Sequence, residues 1–488
     1  MADNNHQTTN VGDETINQMQ IDELQKNIQN QVPNLTNQQN QEQNEVPIKQ
    51  NQSDLQSQTS EGKPKPKKAT IFGTTLTITN ICMGTTIFTF AVRAKSFGLV
   101  WILFFCFVVA AVNYWSIMRC VYASNTCKEN DFSEITKKLM GNKARNILNA
   151  IIILYSYTTL MCLIAIIYPL FGRFIQSAFY RNTYKDYDDF YDQKWGKLYI
   201  KLPFFAGLAF LLSLICLIKD INKMAFTSII GVGAVIYTLL IVIIQCHSYY
   251  KHYKNTVYVK EDKETHVNWY DLGKAFTSKL DFFKGITSFI FAYACQSGIF
   301  PLFAGFKNQE DGVKKMRIST IFATILTTIL HVISIVCAFL TDPITPEDLI
   351  IYRKNKGTGR DIAMVIARLL VSISLFFTIP GNYVPLRLSI ANVFTGGKIS
   401  NKFNILFTFI SIFCCSIISA IYDKILNYIT YVGFIAVFIS FLYPALLHAK
   451  STGKKLTYWR NLLDIALAII MCAIGLIAGI ATLIDDIK

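Results

Sequence analysis

The sequence NICMGTTIFTF, residues 80–90, interrupts the first long apolar run of the chain. The segment that contains it, between Phe72 and Trp101, is long enough to form a membrane helix, which needs about 20 apolar residues. Gly84 and the polar residues around it weaken a continuous helix. We therefore predict a broken helix at this position.

A break halfway across a membrane leaves backbone N–H and C=O groups without partners. Lipid cannot satisfy these groups, so irregular backbone persists only where it lines a cavity that protein encloses. The stretch therefore indicates a binding site for a polar ligand. The alternative interpretation is that Gly and Thr only allow neighbouring helices to pack closely.

A second interruption occurs in FAYACQSGIFPLFAGFK, residues 291–307, where Gln296, Ser297, Gly298 and Pro301 break another apolar run. Two interrupted segments that head two halves of a chain are typical of the binding site in inverted-repeat transporters. In such sites, half-helix N-termini face the carboxylate of the ligand, and unwound carbonyls face its cation. We expect a five-plus-five inverted repeat with broken helices 1 and 6.

The composition excludes an ordinary soluble protein, because 52% of the 488 residues are hydrophobic and only 16% are charged. We predict an all-α polytopic membrane protein with about 11 transmembrane helices. The expected spans are approximately 70–92, 98–122, 146–172, 203–218, 224–246, 284–305, 318–340, 361–391, 403–422, 425–449 and 460–484.

The chain has a formal net charge of +15, and its basic residues lie in short clusters between the apolar runs. The positive-inside rule explains such clusters without a nucleic-acid partner and favours a cytoplasmic N-terminus. The partner that this pattern indicates is the lipid bilayer. The sequence leaves open whether the membrane is the plasma membrane or an endolysosomal or vacuolar membrane.

Residues 1–69 form a separate domain in this interpretation, and the transmembrane domain covers residues 70–488. The N-terminal segment is rich in Gln and Asn and has almost no aromatic residues, so we expect a disordered cytoplasmic tail. Self-association is an alternative property of such tracts. A protein partner for the tail is left open.

The 12 cysteines lie almost entirely in apolar segments, so no disulfide framework is indicated. The adjacent Cys414 and Cys415 lack CxxC spacing and a nearby His, which argues against a metal site. No His or Asp pairs occur at helical spacing inside the expected spans. We therefore expect no catalytic residues, no enzyme activity and no cofactor.

Four motifs occur in order along the chain. They are Asn80-Ile81-Cys82-Met83-Gly84-Thr85-Thr86-Ile87, Phe291-Ala292-Tyr293-Ala294-Cys295-Gln296 with Phe300-Pro301 and Lys307, Arg368 and Thr378-Ile379-Pro380 with Pro385-Leu386-Arg387, and Val432-Gly433 with Tyr443-Pro444-Ala445. Together they resemble the amino acid/auxin permease family, and within it most closely the sodium-coupled neutral amino acid transporters and their lysosomal relatives. The likeness runs from about Ala69 to the end of the chain, and it implies an APC-type inverted repeat and secondary amino acid transport.

The resemblance implies a substrate site at the two breaks. An α-amino acid needs donors for its carboxylate and acceptors for its ammonium, and freed backbone groups supply both. Gln296 stands where many relatives have His, which leaves its role open. The candidate substrate contacts are Gly84, Thr85, Thr86, Phe291, Ala294, Cys295 and Gln296.

A coupling-ion site is predicted between the first and eighth spans. Ser374 and Thr378 are four residues apart and share one helix face, so their hydroxyls can ligate Na⁺ together with carbonyls near Asn80 and Ile81. The alternative is that each hydroxyl bonds the carbonyl four residues earlier in its own helix. The candidate ligands are Asn80, Ile81, Ser374 and Thr378, and coupling to H⁺ instead of Na⁺ remains open.

Three ionisable residues lie in or near the spans. Arg368 is expected to snorkel to the outer interface. His331 and His448 each stand alone in the sequence, so we expect satisfied or interfacial histidines rather than catalytic or metal-binding ones.

These patterns predict secondary active transport of small neutral amino acids by alternating access, coupled to Na⁺ or H⁺. The alternative is an amino acid sensor, or transceptor, that signals through the N-terminal tail. Removal of residues 1–60 distinguishes the two hypotheses, because transport should survive this truncation whereas sensing should be lost.

Overall fold

The computed structural model describes residues 69–83, 86–89, 93, 97–180, 183–184, 187–217, 224–254, 257–260, 263–266, 279–307, 311–341, 349–353, 361–394, 400–422 and 424–487. The expected N-terminal tail lies outside the described residues, except for Ala69. Gly84 and Thr85 also lie outside them.

Fourteen α-helices account for most of the described residues. They are α1 (Ile71–Met83), α2 (Leu99–Cys127), α3 (Phe132–Ile175), α4 (Tyr187–Phe190), α5 (Leu198–Cys216), α6 (Met224–Lys254), α7 (Lys279–Tyr293), α8 (Gln296–Lys307), α9 (Gly312–Thr341), α10 (Ile362–Phe394), α11 (Asn401–Ile421), α12 (Ile425–Val437), α13 (Tyr443–Ser451) and α14 (Trp459–Ile487). Short 3₁₀ segments occupy Thr86–Phe88 and Ile350–Tyr352, and single π-turns occupy Gln176–Tyr180, Tyr191–Trp195 and Phe438–Leu442.

Within the described residues, ten helical segments are long and apolar enough to cross a membrane. The pairs α7–α8 and α12–α13 each make one span. Helix α1 has 13 residues and is about 20 Å long, which is shorter than the hydrocarbon core of about 30 Å. The prediction of an all-α polytopic membrane protein is confirmed.

One small β-hairpin follows α6 and was not predicted. Strand β1 (Val257–Lys260) pairs antiparallel with β2 (Lys263–His266), and Val257 stands opposite His266. The hairpin has two residues between its strands, so it is a local feature of the loop. It leaves the helical architecture unchanged.

The spans differ in how deeply they lie within the bundle. In the most apolar windows of α3 and of Ile425–Ser451, 67% of the residues are buried, whereas α5 has only 28% buried and lies at the periphery. Phe104, Leu154 and Ile244 are among the exposed apolar side chains. Exposed apolar surface of this extent marks the lipid-facing side of the bundle.

Small residues let the inner helices approach closely. A Cβ on Gly433 of α12 would collide with the carbonyl oxygen of Thr287 on α7. Helices α1 and α9 are joined by hydrogen bonds, since Thr75 Oγ1 donates to the Ser319 carbonyl at 3.4 Å and Ser319 Oγ donates to the Ile71 carbonyl at 3.3 Å. Close packing and interhelical hydrogen bonds are the forces that hold helices together in lipid.

Helix α3 has a kink that explains where the third span begins. Gly141 has φ 87°, a conformation that favours glycine, and it separates the first turns of α3 from the long apolar part. Asp131 caps the start of α3, because its carboxylate accepts from the Glu134 N–H at 3.0 Å. The expected span at 146–172 therefore corresponds to the part after the kink.

The two interrupted segments are the first and the sixth in chain order. The first is α1 with the 3₁₀ segment Thr86–Phe88, and the sixth is α7 with α8. This spacing agrees with broken helices 1 and 6. The relation of the two halves by an inverted repeat remains a prediction.

Candidate functional site

The first break follows Met83, where α1 ends. Gly84 and Thr85, which follow Met83, lie outside the described residues. Thr86 Oγ1, on the far side of this gap, donates to the Met83 carbonyl at 3.3 Å. Ser334 Oγ of α9 donates to the Ile87 carbonyl and fastens the 3₁₀ segment.

The second break lies between α7 and α8, at Ala294 and Cys295. The Ala294 N–H donates to the Phe291 carbonyl at 3.1 Å, and the Gly298 N–H donates to the Cys295 carbonyl at 2.9 Å. The interruption is therefore shorter than the sequence indicated, because Gln296 already begins α8. Pro301 lies inside α8, so it is compatible with the helix and does not cause the break.

The structure brings the two breaks together. Cys82 Sγ donates to the Tyr293 carbonyl across 3.6 Å. A Cβ on Gly298 would lie 3.1 Å from Cδ1 of Ile81, so α8 and α1 also approach closely just beyond the breaks. The phenol of Tyr293 meets Thr328 Oγ1 at 3.0 Å and thereby anchors the end of α7 to α9.

Gln296 organises the second break. Its Oε1 accepts from the Cys295 N–H at 3.0 Å and from Ser440 Oγ at 2.8 Å. Its Nε2 donates to Asn113 Oδ1 at 2.7 Å and lies 3.4 Å from Ser116 Oγ. Because the amide has two donors and two acceptor positions, these four bonds use its full capacity. The side chain is buried and ties α8 to α2 and to the π-turn at Phe438–Leu442.

At the two breaks, the N-terminal end of α8 and the C-terminal end of α1 lie close together. Helix α8 begins at Gln296, and its first turn presents N–H groups and the positive end of its dipole. Met83 is the last described residue of α1, so the negative end of the α1 dipole lies on the same side of the breaks. Such an arrangement suits a ligand that carries a carboxylate and an ammonium group.

Two of the predicted ion ligands meet at a glycine of α6. A Cβ on Gly231 would collide with Asn80 Oδ1 and would lie 3.2 Å from Ser374 Oγ. Neither side chain has a hydrogen bond to the described part of the chain. Thr378 Oγ1, in contrast, donates to the Ser374 carbonyl at 2.8 Å, the bond that the alternative interpretation expected. This bond uses only the hydroxyl hydrogen, so the lone pairs of the Thr378 oxygen remain available to a ligand.

Ile81 contributes to this region only through its backbone. Its side chain is 36% exposed and apolar, so the carbonyl is the one group that could ligate a cation. Sequence reasoning missed Gly231, because a single glycine inside an apolar helix carries no signal of its own. Its importance comes from the residues of α1 and α10 that pack against it.

Of the three ionisable residues, Arg368 contradicts its prediction. Arg368 does not snorkel; it is 4% exposed and donates to Ser177 Oγ at 2.6 Å and to the Ile351 and Arg353 carbonyls at 3.0 Å each. The prediction was wrong because the Ile350–Tyr352 segment folds over the end of α10 and supplies acceptors there.

His448 is not alone. Its Nδ1 lies 3.1 Å from Asp464 Oδ2, and the same carboxylate pairs with Arg119 Nε at 3.0 Å and accepts from Trp115 Nε1 at 3.1 Å. This cluster joins α2, α13 and α14. His331, in contrast, has the expected packing role, since it is buried, stacks on the Tyr293 ring, and its Nδ1 lies 2.8 Å from the Thr327 carbonyl.

The fold and the paired breaks define a polytopic membrane protein whose first and sixth spans are interrupted and approach each other at the interruptions. Residues 67–487 match the family model of transmembrane amino acid transporter proteins. Because this match covers most of the chain, the protein belongs to that family. The resemblance seen in the sequence is thereby confirmed. A search of curated proteins finds no match to this chain.

Proposed function

We propose that this protein is a secondary active transporter of small neutral amino acids and that it works by alternating access. The observation that carries the proposal is the contact between the two breaks, where Cys82 of α1 reaches the Tyr293 carbonyl at the end of α7. The C-terminal end of α1 would bind the ammonium group of the substrate, and the N-terminal end of α8 would bind its carboxylate.

The preference for a neutral substrate is supported by the side chains at the breaks. Among the described residues there, Ile81, Cys82, Phe291, Ala294 and Cys295 are all uncharged. A charged substrate side chain would need a counter-charge, because an unpaired charge in this environment is costly. Thr86, Phe291, Ala294 and Cys295 therefore remain our candidate contacts, together with Gly84 and Thr85 outside the described residues.

Gln296 has a different role in this proposal. Its amide already forms four hydrogen bonds within the protein, so we assign it to holding the break in place. Movement of α8 during alternating access would have to exchange these bonds for others.

For the coupling ion we favour Na⁺ at Asn80 and Ser374. Their oxygens lie beside Gly231 and have no other partner in the described residues, and hard cations prefer oxygen ligands. The carbonyl of Ile81 and the hydroxyl of Thr378 would complete the set. We place the N-terminus in the cytoplasm because of the short basic loops.

The test is uptake by purified protein in liposomes. Labelled neutral amino acids should accumulate under an imposed inward Na⁺ gradient, and lysine or glutamate should not. Accumulation under a pH gradient alone would assign coupling to H⁺ and remove the Na⁺ site from the proposal. Absence of uptake of every amino acid under both gradients would refute the transport function.

A further inference from the structure

An apolar groove lies between α3, α10 and α11, away from the breaks. Its volume is about 480 Å³. Tyr157 contributes the polar edge, and its phenol is 3.0 Å from Ser411 Oγ. The groove is lined by Asn146, Ala150, Ile153, Leu154, Tyr157, Ile390, Val393, Phe394 and Phe407.

The groove opens towards lipid. Leu154 and Phe394 on its rim are 56% and 74% exposed, and both belong to membrane spans. In a bilayer, the molecules that meet such an opening are lipids. An acyl chain would therefore find an apolar channel between these helices.

A buried cation stands one helical turn from the groove. Arg387 is only 8% exposed, and its Nη1 is buried without a hydrogen-bond partner in the described residues. It forms no ion pair there either. Arg387 precedes the groove residue Ile390 by three positions and therefore shares its face of α10. A guanidinium in a membrane span requires an anion or strong acceptors.

An unpaired acceptor lies at the same level on α11. The phenol of Tyr383 donates to Thr408 Oγ1 at 3.0 Å and joins α10 to α11. Arg387 lies one turn after Tyr383, and Asn404 lies one turn before Thr408, so the two are at a similar level because consecutive spans run in opposite directions. Asn404 Oδ1 is buried and has no partner in the described residues. A ligand with acidic and hydroxyl groups would satisfy both side chains.

The depth of Arg387 suits a lipid headgroup. Helix α10 has 33 residues and is about 50 Å long, so it extends beyond a hydrocarbon core of about 30 Å. Arg387 lies seven residues, or about 10 Å, before the end of α10, which places it near the boundary of the core. Lys143 and Lys402 are exposed beside the same end of the groove, in the turns that lead to Asn146 and Phe407.

We propose that this groove binds an anionic phospholipid, with one acyl chain between α3, α10 and α11 and the phosphate paired with Arg387. Basic pockets between membrane helices are known to take anionic headgroups. The site is separate from the transport site, and the proposal does not depend on transport. Lys143 and Lys402 add attraction for the headgroup at the mouth.

The experiment measures lipid binding by native mass spectrometry of the full-length protein in detergent. The probes are dioleoyl phosphatidylserine, dioleoyl phosphatidylcholine with the same chains, and inorganic phosphate. The variants are Arg387→Gln, which removes the cation, and Ala150→Phe, which fills the groove from an exposed position. Ala111→Phe is the matched control, because Ala111 is an exposed alanine on α2, outside the groove.

The wild-type protein and Ala111→Phe should bind one phosphatidylserine at least tenfold more tightly than phosphatidylcholine. Arg387→Gln should lose this preference, and Ala150→Phe should weaken phosphatidylserine binding at least tenfold. If Arg387→Gln does not fold, the comparison of Ala150→Phe with Ala111→Phe still decides the result.

Four outcomes would overturn the proposal. One is equal affinity for the two lipids in the wild-type protein, and another is equal binding by Ala150→Phe and Ala111→Phe. Competition by inorganic phosphate at matched concentration would show that the anion site does not need the lipid. A change of subunit stoichiometry in Ala150→Phe alone would assign the groove to a contact between copies of the chain, which also refutes lipid binding.

Discussion

The side-chain amide of Gln296 donates a 2.7 Å hydrogen bond to Asn113 Oδ1, and this bond joins the start of α8 to the middle of α2. The two residues are far apart in sequence, and both are buried. The bond therefore fixes one end of the second break against a neighbouring span. A movement of α8 relative to α2 would have to break this hydrogen bond.

Gln296→Leu should impair both stability and transport. The substitution leaves the Cys295 N–H, Asn113 and Ser440 without their partner, and each unsatisfied buried group costs about 1–3 kcal/mol. We expect a lower unfolding temperature and a loss of uptake of at least about tenfold, which corresponds to about 1.4 kcal/mol. Gln193→Leu, at an exposed position of the π-turn Tyr191–Trp195, should behave like the wild-type protein. Normal uptake by Gln296→Leu would contradict the positioning role.

Gly231→Ala should weaken activation by Na⁺. The added Cβ would collide with Asn80 Oδ1 and lie 3.2 Å from Ser374 Oγ, so it would displace the proposed ion ligands. We expect the Na⁺ concentration for half-maximal uptake to rise at least about tenfold, equivalent to about 1.4 kcal/mol. Gly233→Ala is the matched control, because a Cβ on Gly233 would meet nothing within 4 Å. Similar Na⁺ dependence in both variants would argue against the site.

Ser374→Ala should also raise the Na⁺ requirement, because it removes an oxygen that has no other partner in the described residues. Thr378→Ala tests whether a hydroxyl that already donates to the Ser374 carbonyl contributes a lone pair to the ion. Ser372→Ala is the control, since Ser372 only bonds the Arg368 carbonyl at 2.8 Å in the same helix. Unchanged activation by Na⁺ in Ser374→Ala would show that Ser374 is not an ion ligand. The same result in Thr378→Ala would exclude Thr378 as a ligand.

Gly433→Ala should destabilise the bundle. The new methyl group would overlap the Thr287 carbonyl and force α7 and α12 apart. Overpacking of this kind typically costs about 1–3 kcal/mol. Gly207→Ala serves as the control, because a Cβ there would meet nothing within 4 Å. The measurement is the thermal unfolding temperature of the two variants in detergent. Equal unfolding temperatures would show that the contact between α7 and α12 can relax around the added methyl group.

Asp464→Asn should cost more stability than the loss of an exposed ion pair. Asp464 is largely buried and holds Arg119, Trp115 and His448 together. Removal of one partner of a buried ion pair leaves the other charge uncompensated and typically lowers the free energy of unfolding by about 3–5 kcal/mol. The loss should be smaller here, because Arg119 is partly exposed to solvent. Glu129→Gln, whose pair with Lys138 is largely exposed, should change the unfolding temperature little. Equal shifts in the two variants would contradict this account.

The local sequence predicted the helix breaks but not their limits. Small and polar residues around Gly84 and Gln296 indicated where an apolar run cannot continue as one helix. They did not show that Gln296 would begin α8, because its place depends on Asn113 and Ser440 from two other spans. The prediction for Arg368 failed for the same reason, since the segment that covers it follows a different span.

By itself, the sequence determined that the protein is a polytopic helical membrane protein with two interrupted spans, and its motifs identified the family. Runs of apolar residues long enough to cross a bilayer, and their interruptions, are local properties that need no knowledge of contacts. Only the tertiary structure decided that the breaks meet, through Cys82 and the Tyr293 carbonyl, and that Asn80 and Ser374 meet at Gly231. These relationships depend on which helices pack together, and packing is set by shape and hydrogen bonding between residues far apart in the chain.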